Sequence, residues 1–408
     1  MSLPRLGERP PTAGLPPRLV DLLGAGGRDD RLQRALAQAT GAAEALLLSS
    51  GTACLLVAFE HLKRQSGRRT VIIPAYTCPL VVLAAVQAGL KVVACDVTAT
   101  RFDLDLDHLA RLLDSDTLCV VPTHYGGWLT DVAAVRAAVL RRDPSVSLIV
   151  DAAQAFGATW GGRSVGLAGD IGVFSFAAGK GLTLFEGGAL VAPSAAMMQG
   201  LRDTCRMLVS RAPLEEAWMG AMLAAYHLGY NGLGLRLAYG APKRASLARG
   251  DEITAAGDRF VGPIGVHEVG RWRRGVGASA LPRLASHLAL VRANFAQLAT
   301  AIAARCPGLD VHVQTGTAQP SATFLFVTLP ATEPAARVAD RLWRSRLGFS
   351  KQFTRAIGDY PYLVGQLVPS ETPNARDLAR RTLTVSTSGR LSGQDIETMV
   401  QALAACVA

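Results

Sequence analysis

Between about residues 46 and 151, short apolar runs with strand character alternate with helix-length segments, and this alternation restricts the fold more than any other feature. The runs are LLLSSGT from Leu46, VIIP at 71–74, KVVACDV at 91–97, LCVVPTHY at 118–125 and SLIVD at 147–151. Helical patterns fill the gaps at about 53–63, 79–89, 106–113 and 131–141. Strands that are apolar throughout need cover on both faces, so the pattern predicts a largely parallel sheet clothed by helices.

After Asp151 the alternation stops. DIGVFSF at 170–176 and GGALVAP at 187–193 read as closely spaced strands that would carry the intervening Lys180 to a sheet edge. A 23-residue stretch, AWMGAMLAAYHLGYNGLGLRLAY, follows at 217–239, apolar but interrupted by His227, Asn231, Arg236 and several glycines. Its length would suit a membrane span, whereas the polar interruptions point to a buried or interfacial helical hairpin, with peripheral membrane contact through 217–240 as the alternative. From about 279 a long amphipathic helix leads into a smaller α/β segment with strands near 311–314, 322–328 and 382–386. The Pro-rich first twenty residues read as an arm lying on the body or on a partner. The expected division is an arm at 1–30, a large domain at 31–280 with a helical insertion at about 196–280, and a small C-terminal domain at 281–408.

The chain has 408 residues, half of them apolar and 18% charged, which suits a well-buried globular protein and excludes disorder. The net charge of +10 favours anionic ligands, but aromatics are only 6% and the arginines are dispersed, which argues against nucleic acid. The seven cysteines include no C-x-x-C pair and read as reduced core residues, so no disulfide frame or metal site is expected. The N-terminal sequence carries prolines and arginines where a signal peptide would need an apolar run, which points to the cytoplasm.

Lys180 lies about thirty residues after Asp151, which closes an apolar strand at the end where open α/β sheets bind ligands. A carboxylate and an amine so placed suit pyridoxal phosphate: the acid keeps the pyridine nitrogen protonated, and the lysine forms the Schiff base. Ser50-Gly51-Thr52-Ala53 opens a helix after a strand, where the amides of Gly51, Thr52 and Ala53 would cradle a phosphate; an ordinary helix start is the plainer reading. Tyr76 could stack on a flat ring or simply pack at an edge, and His124 could touch a ligand or serve the core. Gly179-Lys180-Gly181 is no P-loop, because Phe174 and Gly181 stand where that motif needs glycine and Ser or Thr.

In this order, SSGTA at 49–53, IPAYTCPLVVLAAVQAGLKVVACDV at 73–97, THYGG at 123–127, VDAAQAFGATWGGRSVG at 150–166 and GDIGVFSFAAGKGLTLFEGGALV at 169–191 resemble the DegT/DnrJ/EryC1/StrS family of pyridoxal phosphate aminotransferases. Beyond about 275 the likeness is carried by the long helix and by LTVSTSGRLSGQDIETMVQALA at 383–404. The resemblance implies fold type I: a three-layer α/β/α large domain on a mostly parallel seven-stranded sheet, and a smaller C-terminal α/β domain. It implies Lys180 as the Schiff-base lysine, Asp151 as partner of the pyridinium nitrogen, Tyr76 on the ring and Gln154 at its phenolic side. Gly51, Thr52 and Ser175 would hold the phosphate. It further implies a homodimer, a glutamate or glutamine donor, and a carbonyl acceptor such as a nucleotide-linked keto-sugar. Other fold type I chemistry on an apolar substrate, and a non-catalytic cofactor-binding sensor, are the alternatives.

Two departures from the family pattern stand out. Phe185 and Ala177 occupy positions where the family usually has glycine and histidine. The segment through which a neighbouring subunit normally touches the phosphate has no clear counterpart, and Arg273 or Arg274 would have to replace it.

Overall fold

The computed structural model describes residues 7–24, 30–331 and 335–407. The parts of the arm at 1–6 and 25–29 lie outside the described residues.

Seven strands form the large sheet: β1 (Leu46–Leu48), β2 (Thr70–Pro74), β3 (Lys91–Cys95), β4 (Thr117–Val120), β5 (Ser147–Asp151), β6 (Ile171–Ser175) and β7 (Gly188–Val191). Their spatial order is β1-β7-β6-β5-β4-β2-β3. β7 runs antiparallel to both neighbours, and all other pairings are parallel. Strands β2, β6 and β7 are buried along their whole length, as expected for apolar strands covered on both faces. β6 and β7 are interior strands, because β1 closes that side of the sheet. The Lys180 turn between them therefore emerges at the C-terminal end of β6 and not at an edge strand.

The covering helices begin where the sequence supplies capping oxygens. Ser50, Asp105 and Asp131 accept from amides of the first helical turn, and Pro79 opens the next helix without needing a donor. The expected helix from 279 is interrupted. Arg271–Ala280 passes through a tight turn at Leu281–Arg283, which contains Pro282, into Leu284–Arg305.

A second sheet, fully antiparallel, has the order Asp310–Val311, Phe324–Thr328, Thr382–Ser386, Phe349–Ser350. Leu284–Arg305 and Gly393–Val407 cover it, joining Phe295, Leu298 and Met399 to Leu325, Leu383 and Val385.

The stretch at 217–239 is divided between helices. Pro213–Gly229 ends before Tyr230, and Asn231 caps the following Gly232–Leu235 by accepting from the amides of Leu233 and Gly234. Among the described residues no helix is long and apolar enough to cross a membrane.

Candidate active site

Four strands aim their C-terminal ends at one place: Asp151 ends β5, Ser175 ends β6, Tyr76 follows β2 and His124 follows β4. The backbone beneath Asp151 is fixed by a bridge to Thr123 and by the His124 N–H, which donates to the Asp151 carbonyl at 2.8 Å. The Asp151 carboxylate is buried and accepts from the Ala153 N–H at 3.0 Å. Burial pushes its pKa up, against that hydrogen bond and the nearby Lys180 ammonium.

Lys180 sits half-buried on a turn closed by its own N–H donating to Ala177 O at 3.1 Å. Burial holds its pKa below the usual lysine range, opposed by Cys78, Asp151, Glu186 and Asp258. Asp258 escaped the sequence reading, since it lies in the helical insertion and belongs to no motif. It is buried and accepts from the Tyr360 hydroxyl at 2.7 Å, and burial pushes its pKa up to about 6.

The helix start at Gly51–Gln65 divides the three expected cradle amides. The Ala53 N–H donates to the Ser50 hydroxyl at 3.0 Å and so serves as a cap, leaving the amides of Gly51 and Thr52 without an acceptor inside the helix. A Cβ placed on Gly51 would stand 3.0 Å from that of Ser175, so the Ser175 side chain adjoins the amide end of the helix.

Tyr76 is fully buried, with ring centroids 5.2 Å from Phe353, 5.4 Å from Phe102 and 6.0 Å from Tyr125. The Tyr125 hydroxyl donates to the Tyr76 carbonyl. Gln154 is buried and accepts from the Gly126 N–H at 3.4 Å. His124 is a core group: Nδ1 accepts from the Thr130 N–H at 3.1 Å, and burial lowers its pKa to about 4.

A cavity of about 470 Å³ opens beside Lys180 and Gln154. Its other walls come from far along the chain: Pro10, Pro11 and Thr12 of the arm, Met222, Tyr226 and Tyr230 of the insertion, and Lys351 beside the second sheet. Larger clefts lie along β1 and beside His124, but Lys180 lines neither. No local pattern in the sequence marks the insertion as a wall of this cavity.

Phe185 adopts φ +68°, a backbone region that favours glycine. Its ring packs near Leu223 and Val276 and lies edge-on to Tyr226. Arg273 secures this turn by donating to the carbonyls of Leu184 and Glu186, on either side of Phe185, while pairing with Glu216. Arg273 is thus committed within its own chain, which removes it as the replacement phosphate contact. Arg274 stands 3.8 Å from Glu268.

Fold and site together define an α/β protein with a half-buried lysine near a buried carboxylate, and a helix start with free amides, at the C-terminal ends of its parallel strands. The chain belongs to the DegT/DnrJ/EryC1/StrS aminotransferase family, whose sequence profile matches residues 21–235. It is 37% identical over 161 residues to the 3-amino-5-hydroxybenzoate synthase of Amycolatopsis mediterranei (strain S699), covering 40% of this chain and 41% of that protein. It is 32% identical over 193 residues to the L-glutamine:2-deoxy-scyllo-inosose aminotransferase of Streptomyces lividus, covering 47% and 45%. The match therefore spans less than half the length of either relative. The crystal structure of 3-amino-5-hydroxybenzoic acid synthase superposes with a TM-score of 0.70 at 24% identity, over 94% of this chain and 91% of that one, which shows the shared fold.

Proposed function

We propose that the protein is a pyridoxal phosphate-dependent aminotransferase that moves an amino group from glutamate or glutamine to a carbonyl acceptor, a keto-sugar or related ring ketone. The observation that carries this is the placement of Lys180, on the turn that follows β6, at the same end of the sheet as buried Asp151, which ends the adjacent parallel strand β5.

The residues fit the cofactor. Gly51, Thr52 and Ser175 would hold its phosphate, Asp151 its ring nitrogen, Tyr76 and Gln154 its ring, and Lys180 its carbonyl carbon. When bound, the cofactor supplies an electron sink conjugated to the substrate amine. Asp151 would set its carboxylate against the ring nitrogen. Lys180 would be the base that takes the proton from the donor α-carbon and gives it back. Burial lowers its pKa, which favours the neutral amine that such an exchange requires. Residues of the arm and the insertion border the cavity beside Lys180.

Purified protein supplied with pyridoxal phosphate should develop a visible absorbance band that Lys180→Ala lacks, and glutamate or glutamine should discharge it. A colourless protein overturns the cofactor assignment. A band that no amino acid discharges overturns transamination.

A homodimer is part of this reading, supported by large apolar side chains left exposed at Leu19, Val20 and Leu23 and at Trp218, Leu228, Leu233 and Leu237. Sedimentation equilibrium gives the mass that decides it, and vesicle flotation tests the alternative of peripheral membrane contact through 217–240. The cysteines are unpaired and suit the reducing cytoplasm.

A further inference from the structure

Ser321 is fully buried where the chain enters the second sheet, just before Phe324–Thr328. Its hydroxyl donates to Gln154 O at 2.8 Å, with Gly126 O at 3.2 Å as its other acceptor. Gly126 O also accepts from the Thr323 N–H at 3.2 Å, while the Gly126 N–H donates to Gln154 Oε1 at 3.4 Å. Gln154 is therefore held twice, at its backbone by Ser321 directly and at its side chain through Gly126. Because Gly126 engages the acceptor end of the amide, the Nε2 donors are left for a ligand in the Lys180 cavity, whose wall Gln154 helps to form.

The backbone beside Ser321 is strained to make this contact. Ala322 adopts φ +58°, a left-handed conformation that residues with a Cβ rarely occupy, and the buried Thr387 hydroxyl holds it by donating to Ala322 O at 2.5 Å. On the facing loop, a Cβ on Gly126 would stand 2.0 Å from Thr323 Oγ1, so glycine is needed for so close an approach. Resting on the aminotransferase reading, we propose that Ser321 is a positioning residue: it fixes Gln154 so that the amide Nε2–H donates to the phenolic oxygen of the cofactor, and it thereby sets the acidity of the Schiff base on Lys180. A donor to that oxygen stabilises its negative charge and weakens its hold on the Schiff-base proton, which then leaves at lower pH. Removing the serine hydroxyl releases Gln154 O, loosens the amide and weakens that donation.

The test is a pH titration of the visible band of the cofactor-loaded protein, with thermal melts of the cofactor-free protein alongside. Ser321→Ala should raise the pH midpoint of the band by about half to one unit, the scale of one hydrogen bond. Gln154→Ala should raise it at least as far, and the double variant should go no further than Gln154→Ala alone, because the serine acts through the amide. Ser321→Cys keeps a weak donor in nearly the same volume, so its midpoint should fall between wild type and Ser321→Ala, and it carries the test if Ser321→Ala does not fold. A serine that only satisfies buried carbonyls would lower the melting temperature and leave the midpoint in place, which overturns the proposal. Shifts that add in the double variant, or a wild-type midpoint in Gln154→Ala, overturn it as well. Failure of the aminotransferase reading shows separately, as a wild-type protein that never develops the band.

Discussion

Gly14 of the N-terminal arm lies against the backbone of the Lys180 turn so closely that a Cβ on it would stand 2.4 Å from the Lys180 carbonyl oxygen and 2.6 Å from the Gly179 carbonyl carbon. Backbone on both sides leaves nothing flexible to yield. The Leu15 N–H donates to Gly181 O at 3.1 Å, so the contact is part of a bridge between arm and turn. Gly14→Ala should lift the arm or shift the turn, lowering stability by about 1–3 kcal/mol and weakening the cofactor band. Thermal melts and a pyridoxal phosphate titration measure the two effects. An unchanged melt and titration would show that the arm is not seated in this way.

Arg273 is 1% exposed and holds the Phe185 turn from beneath while pairing with Glu216. Arg273→Ala leaves the Glu216 carboxylate facing a vacated site and two carbonyls without donors. A loss of about 3–5 kcal/mol is expected in denaturant unfolding, the scale of breaking a buried ion pair from one side. Arg273→Lys should recover only part, because one ammonium cannot reproduce the guanidinium fork.

Phe185 makes a prediction about sign. Alanine at 185 keeps the left-handed backbone and loses the ring, whereas glycine loses the ring and relieves the backbone. Phe185→Gly should therefore be more stable than Phe185→Ala by about 1 kcal/mol, although glycine is ordinarily the more damaging replacement. Parallel urea titrations decide the order.

Asp258 has its folded pKa raised by burial from 3.8 to about 6. The folded state then holds a proton that the unfolded state releases between pH 4 and 6. This group's contribution is fully present below pH 4 and is lost as pH rises through 6. Relative to the wild type, Asp258→Asn should gain about 3 kcal/mol between pH 4 and pH 7, since asparagine can still accept from Tyr360 and has no charge to bury. Unfolding curves at the two pH values give the difference directly.

The sheet was readable because each strand carries its own signature. Ile72 and Ile73, or Val92 and Val93, lie in apolar runs short enough to be strands, and β2 and β3 fall on them. Asp151 and the Lys180 turn were placed for a related reason, one closing an apolar run and the other following one, whereas Ser175 entered only through the family resemblance. Lys351 and Tyr226 were not readable, because each reaches the cavity through packing of segments far apart in sequence, and Asp258 was not because it belongs to no motif; no local spacing records such placements. Ala53 and Arg273 show a different limit. The helix-start amide of Ala53 and the guanidinium of Arg273 suit anion binding, yet the Ser50 hydroxyl and the Glu216 carboxylate engage them first, a competition visible only in three dimensions.

The arm's partners are spread along the chain. Glu8 is buried against Lys243 and Arg244, Arg9 pairs with Asp395, and Leu15 bridges to Leu182. Arg9 and Asp395 are 386 residues apart, so during synthesis the arm waits for its most distant anchor long after Leu182 has been made. A chain stalled between them would hold the wall of Pro10, Pro11 and Thr12 by part of its contacts and leave the Lys180 turn less covered.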